Sequence, residues 1–286
     1  MKARNPYILV TLVASLFLFS IQTVVSSETA WEDIAPGAKL RLISSNKADE
    51  NGSFWAAIQL DLADGWKTYW RNPGETGIPL TMDWQQSLHV LSADIRWPFP
   101  KRSEDYGYVD YVYEGRVTLP VELKLADQYK PAQLNVALRL GVCSDVCIPV
   151  SWSGILQLDP ASPSASNGFR IQSAKAIVPQ IDDRASAPFA FVGYDADNNL
   201  LVLPSADDPL SNKSLIVDLP NKSLLFDLPH SRPELGAMTV ASLGGSDLST
   251  LLDQEVRLIY DSKQGPYSKL VKIELVKVVD ETLIFE

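Results

Sequence analysis

The chain has 286 residues, with 25 Lys and Arg against 35 Asp and Glu, a formal net charge of −10, and 46% hydrophobic content. Such acidity argues against nucleic-acid binding and against anionic-membrane binding, both of which need a basic face. At ~100–200 residues per domain, the length predicts two domains with cores that do not need disulfides to form.

The chain begins with Lys2 and Arg4, an apolar run from Ile8 to Ile21, and small residues at Val25 and Ser27 before Glu28. This is the layout of a secretory signal peptide over residues 1–27, with an uncleaved N-terminal anchor as the alternative. Loss of Lys2 and Arg4 takes the net charge from −10 to −12. No later segment approaches the ~20 apolar residues of a spanning helix. The expectation is an exported protein with no membrane span after signal removal. Export places its cysteines where disulfides persist and are exchanged.

Residues 28–158 read as one domain of short half-buried strands. Apolar residues alternate in Trp55 to Leu62, Val117 to Leu123 and Leu134 to Leu140, with Gly, Pro and Asp turns between. That pattern predicts an antiparallel β-sandwich without amphipathic helices. Trp66, Trp70, Trp84 and Trp97 read as core and turn packing. Asp159 to Gly168, "DPASPSASNG", reads as a linker. The remainder, 169–286, predicts a second, smaller β-rich domain. Phe169 to Gln180 suits either a short helix or an extended lead-in. "FAFVGYDADNNLLVL" predicts a hairpin turning at Asp197-Asn198-Asn199. A tandem nonapeptide, "NKSLIVDLP" then "NKSLLFDLP" (212–220 and 221–229), predicts two short strands, each ending at proline. Ser242 to Asp253 predicts one or two helical turns capped by Ser246 or Asp247, and Glu255 to Val279 a closing hairpin.

The chemistry concentrates in "LGVCSDVCIPV", Leu140 to Val150, which holds the only two cysteines. A continuous strand would hold Cα atoms four residues apart at ~13 Å, whereas a disulfide needs ~4.4–6.8 Å. Alternating flanks on both sides predict a hairpin looping at Ser144-Asp145-Val146, with Cys143 facing Cys147. In phase, both cysteines fall opposite the buried set, a rule that a bulge would reset. A five-residue loop restricts the unfolded chain by only ~2 kcal/mol, against ~4.7 for a hundred-residue loop. The pair is therefore a poor staple, and a near-surface turn leaves it open to an attacking thiolate. Reversible redox chemistry, a minor structural clip and metal binding all stay open. His89 and His230 lie far apart, so a closed four-ligand zinc site is disfavoured, although soft thiolates suit Cu(I). No hydrolytic or phosphate-binding motif is present, and no metal or other cofactor is expected. The three N-x-S sequons at Asn51, Asn212 and Asn221 are patterns short enough to arise by chance. In sequence, no nearby His or Lys activates either thiol, and Asp145 would raise a thiol pKa.

Four segments occur together in an order that resembles the N-terminal periplasmic domain of the thiol:disulfide interchange protein DsbD, in its ScsB-like branch. They are "GWKTYWRNPGETGIP" (65–79), "IRWPFPKR" (95–102), "YEGRVTLPVEL" (113–123) and "GVCSDVCIPV" (141–150). The resemblance covers roughly Ala35 to Leu158 and implies an immunoglobulin-like sandwich. It also implies that Cys143 and Cys147 form a redox pair, with Tyr106 or Tyr108 in a cap loop shielding it. Ordinary strand-edge packing is the alternative for those tyrosines. The implied partners are periplasmic thioredoxin-fold oxidoreductases. DsbD proper spaces its cysteines more widely and continues into membrane and thioredoxin domains not found here, so a separate membrane-embedded electron donor is expected. A non-catalytic interaction module with an inert disulfide and a copper-handling protein are the rival classes.

Overall fold

The computed structural model describes residues 26–184, 187–204, 215–219, 224–279 and 282–285. The segment read as a signal peptide, residues 1–27, lies outside the described residues except for Ser26 and Ser27. Among the described residues no helix is long and apolar enough to cross a membrane.

Eleven strands make the first unit. They are β1 (Glu32–Ala35), β2 (Ala38–Ala48), β3 (Phe54–Leu62), β4 (Lys67–Gly74), β5 (Thr81–Asp83), β6 (Val90–Ile95), β7 (Lys101–Ser103), β8 (Asp110–Glu114), β9 (Arg116–Leu125), β10 (Ala132–Cys143) and β11 (Cys147–Leu158). One sheet runs β1-β2-β3-β9-β6; the other runs β11-β10-β4-β8-β7, with β5 added on β10. This is an immunoglobulin-like sandwich, and the period-two alternation explains it: each strand turns every second side chain inward. Leu40 and Leu42 of β2, Ile58 and Leu60 of β3, and Leu119 and Val121 of β9 face Trp70 of β4 and Leu134 to Val142 of β10. Each fully buried aliphatic side chain of this kind contributes ~1.5–3 kcal/mol.

The stretch read as a linker is free of regular structure only to Ser164. There helix α1 (Ala165–Lys175) begins, and Ser164 accepts the Asn167 N–H as its cap. Backbone and side-chain bonds from Ser164 to Ser45 and from Asn46 to Ser162 tie this stretch to β2. Ile171 of α1 buries against Ile43, Trp55 and Ala57, on the outer face of the first sheet.

Among the described residues nine strands follow: β12 (Gln180–Ile181), β13 (Val192–Asp195), β14 (Leu200–Pro204), β15 (Leu215–Asp218), β16 (His230–Arg232), β17 (Ala237–Val240), β18 (Glu255–Ser262), β19 (Gly265–Val279) and β20 (Thr282–Phe285). They form one sheet, β15-β18-β19-β13-β14-β17-β16, with β12 and β20 also on β19. The expected hairpins are β13–β14 and β18–β19. A parallel pairing of β13 with β19 joins them, which no local pattern announces. The first nonapeptide supplies β15. The second differs from expectation: its described residues, from Leu224, make only an isolated bridge from Phe226 to Ser242. Ser242 to Asp253 contains two short 3-10 turns, and Asp247 receives the Ser249 N–H before the second.

The second sheet of the sandwich meets this unit directly. Ile216 and Ile259 join the sandwich core, and Arg71, lying over the Trp70 ring, pairs with buried Asp218 at 2.6 Å. Arg102 donates to the Phe226 carbonyl at 3.1 Å.

Candidate functional site

Strands β10 and β11 pair without a bulge from Ala132↔Leu158 to Cys143↔Cys147. The loop is Ser144-Asp145-Val146, and the two Cα atoms stand 4.1 Å apart, bridged by a disulfide. An uninterrupted ladder preserves the parity of the strand. Leu140 and Val142 therefore face the sandwich core, and Cys143 faces the opposite side in a separate cluster with Tyr69 and Val112. Gly141 permits this: a Cβ there would stand 2.8 Å from the Ile78 side chain, whose carbonyl accepts the Gly141 N–H.

Facing away from the core does not leave both sulfurs open. Cys143 is only 1% exposed, because Tyr69 and Val112 pack against it, whereas Cys147 is partly exposed. The near-surface expectation thus holds for one cysteine of the two.

The sheet also brings up groups that the sequence does not place near the pair. Strand β4 pairs with β10 at Lys67↔Cys143 and with β8 at Lys67↔Glu114. Directly opposed residues on antiparallel strands share a face. Cys147, Cys143, Lys67 and Glu114 therefore form one row across four strands. Two residues along β4, on the same face, the Tyr69 hydroxyl lies 3.3 Å from Cys147 Sγ. With that sulfur in a disulfide, the hydroxyl is the donor. Burial and the Asp110 carboxylate raise the Tyr69 pKa, so its proton is retained. Lys67, distant in sequence, is brought opposite Cys143 by the sheet. Only sheet register could reveal it, since the spacing between the two segments carries no local signal.

Lys67 and Asp105 form a 2.8 Å ion pair, and Ser103 also donates to Asp105. Burial opposes the Lys67 charge, but the Asp105 carboxylate outweighs it and holds the ammonium above the ordinary lysine range. The same hydrogen bond, with that from Ser103, lowers Asp105. Asp105 opens a 3-10 turn, Asp105–Gly107, in which Tyr106 takes φ 56, a conformation uncommon for a bulky residue. Tyr106 is 83% exposed and reaches Asp145 in the cysteine loop, donating its hydroxyl hydrogen at 3.3 Å. Tyr108 is half-exposed beside this turn, its N–H bonded to the Asp105 carbonyl. A cleft of about 530 Å³ adjoins the loop, lined by Trp66, Lys67, Asp105, Tyr106, Glu114 and Asp145 among others.

Among the described residues no group of three or more His, Cys, Asp or Glu is arranged to hold a metal ion. His89 lies in a loop of the first unit and His230 in β16.

Residues 39–156 match the family described as the thiol:disulfide interchange protein DsbD, N-terminal. Among solved structures, the chain is similar to the N-terminal periplasmic domain of ScsB from Proteus mirabilis. The identity is 25% and the TM-score 0.66, over 87% of this chain and 98% of that one. This match extends well beyond residues 39–156 and takes in much of the second unit. The DsbD N-terminal domain of Neisseria meningitidis, in its reduced form, matches at 14% identity and TM-score 0.26, over 42% of this chain and 90% of that one. Comparison with curated proteins returns no match.

Proposed function

We propose, from the match of residues 39–156 to the DsbD N-terminal family and the likeness to the ScsB periplasmic domain, that this chain is a periplasmic thiol–disulfide interchange protein whose redox pair is Cys143 and Cys147. The observation that supports it best is the asymmetry of the disulfide: Cys147 is a partly exposed residue beside a hydroxyl donor, and Cys143 is a buried one. A bond that closes so short a loop stabilises the fold by only ~2 kcal/mol, so its retention as a staple has little to recommend it.

The asymmetry favours one order of attack. In the reduced protein the Cys147 thiolate attacks a sulfur of the partner disulfide. That S–S bond breaks, and its electron pair leaves on the partner's other sulfur. The Cys143 thiolate then attacks Cys147 Sγ, re-forming the Cys143–Cys147 bond and releasing the partner's second thiolate. Two electrons pass from this protein to its partner, and the partner's thiolates take the protons given up by the two cysteines. Loading runs the same steps backwards from a donor dithiol. Tyr69 donates a hydrogen bond to the Cys147 thiolate while keeping its proton, and the Asp105–Gly107 turn with Tyr106 acts as the cap beside the pair. The partners are thioredoxin-fold oxidoreductases of the periplasm.

A trapping experiment tests the order. Cys143→Ser leaves Cys147 able to attack but nothing to resolve the adduct, so mixed disulfides with a thioredoxin-fold protein should accumulate. Cys147→Ser should trap far less. Equal trapping by both variants overturns the order. No trapping by either, with a Cys143–Cys147 potential far below −300 mV, the range of inert structural disulfides, overturns the function.

A further inference from the structure

Loading this protein with electrons leaves a charge in a buried place. When a donor thiolate bonds to Cys147 Sγ, the Cys143–Cys147 bond breaks and its electron pair stays on Cys143, which is 1% exposed. A thiolate removed from water is costly unless something compensates it. From the register of β10, β4 and β8, we propose that Lys67 is the group that stabilises the Cys143 thiolate and so eases its departure. This rests on the exchange reading above.

The geometry supplies the argument. Lys67 is the direct cross-strand neighbour of Cys143, on the side of β10 opposite to Cys147, and shares its face of the sheet. Its side chain is only 14% exposed and so is packed along the sheet rather than extended into water. The other charged or titratable groups around the pair are Tyr69 from β4, Asp105 and Tyr106 from the cap turn, Asp145 from the cysteine loop, and Glu114 and the buried Asp110 from β8. Every carboxylate among them disfavours a thiolate. Glu114 is itself paired with Lys101 at 2.8 Å, and Asp105 with Lys67. Lys67 is thus the cation of the row, shared between a carboxylate in the oxidised state and a new anion in the reduced one. An ammonium carries three donors, enough for both.

The sign of two substitutions separates this role from a merely structural latch. In a Cys147→Ser background Cys143 is the only thiol, and its titration is followed by thiolate absorbance in the ultraviolet. Lys67→Met removes the cation and should raise the Cys143 pKa by about one unit or more. Asp105→Asn removes the competing carboxylate and frees the ammonium, so it should lower the pKa. Lys67→Arg keeps the charge and should leave the pKa close to that of the parent. A latch that only holds the cap turn in place would instead make Lys67→Met and Asp105→Asn act in the same direction. Shifts of the same sign, or no shift in either variant, overturn the proposal. The titration needs no partner, so its outcome stands apart from that of the trapping experiment.

Discussion

Tyr69→Phe removes one oxygen from the site and nothing else, which makes it the sharpest probe of how Cys147 is activated. In the oxidised protein the hydroxyl lies 3.3 Å from Cys147 Sγ. A disulfide sulfur is a weak acceptor, so losing this contact should barely change the melting temperature. In the reduced protein the same hydroxyl faces a thiolate, and a hydrogen bond to a charged group contributes ~1.5–3 kcal/mol. Sulfur is a diffuse acceptor, which favours the lower end. At 1.36 kcal/mol per unit, that raises the Cys147 pKa by about one unit. Below that pKa the thiolate fraction falls roughly tenfold. The remaining thiolate is more basic and, with a Brønsted coefficient of ~0.4–0.5, about threefold more nucleophilic. The net expectation is a three- to fourfold slower attack near neutral pH, with the midpoint of the pH–rate profile displaced upward by about one unit. Stopped-flow reaction of the reduced protein with a small aromatic disulfide, across the pH range, reads both quantities. An unmoved midpoint in a variant of wild-type stability would refute the assignment of Tyr69 as the donor.

Asp218→Ala should destabilise the contact between the two units, because Asp218 is buried and pairs with Arg71 at 2.6 Å. Breaking a buried pair costs ~3–5 kcal/mol. Arg71 keeps 27% side-chain exposure and can be partly rehydrated, so about 2 kcal/mol is expected, a fall of roughly 4–8 °C in Tm. A thermal melt indistinguishable from wild type removes the pair as a clasp. Asp182 is held below the usual carboxylate range by the Arg184 guanidinium, against an opposing effect of burial and with the help of the Tyr260 hydroxyl. Its pKa is lower folded than unfolded, so its contribution is complete above the unfolded value of ~3.9 and is lost as pH falls below it. Asp182→Asn should flatten the dependence of stability on pH below about pH 4 by up to one proton. Acid denaturation followed by circular dichroism checks this, and an unchanged slope argues against the assignment.

Much of the architecture was legible because hairpins are local. The alternation of Leu134 to Val142 and of Val150 to Leu158 set the β10–β11 ladder, and the shortness of Ser144-Asp145-Val146 set its register. Since the ladder carries no bulge, the parity argument placed Cys143 off the core face correctly. Facing away from one core is a weaker property than facing water, however. Tyr69 and Val112 build a second, smaller apolar cluster over Cys143, and parity is blind to which side chains arrive from other strands. The two nonapeptides make the same point: nearly identical residues form β15 in one copy and only an isolated bridge in the other, because pairing depends on a neighbouring strand being free.

The amino-acid sequence by itself determined the β-sandwich class, the cysteine hairpin and the family resemblance, since strand periodicity and turn chemistry are written in adjacent residues. Only the tertiary structure decided that Cys147 is the more exposed cysteine, that Tyr69 donates to it, and that Lys67 stands opposite Cys143 in register. Those facts come from three strands meeting side by side. Which strands meet is fixed by burying a whole sheet against its core, a non-local balance of packing that no short segment encodes.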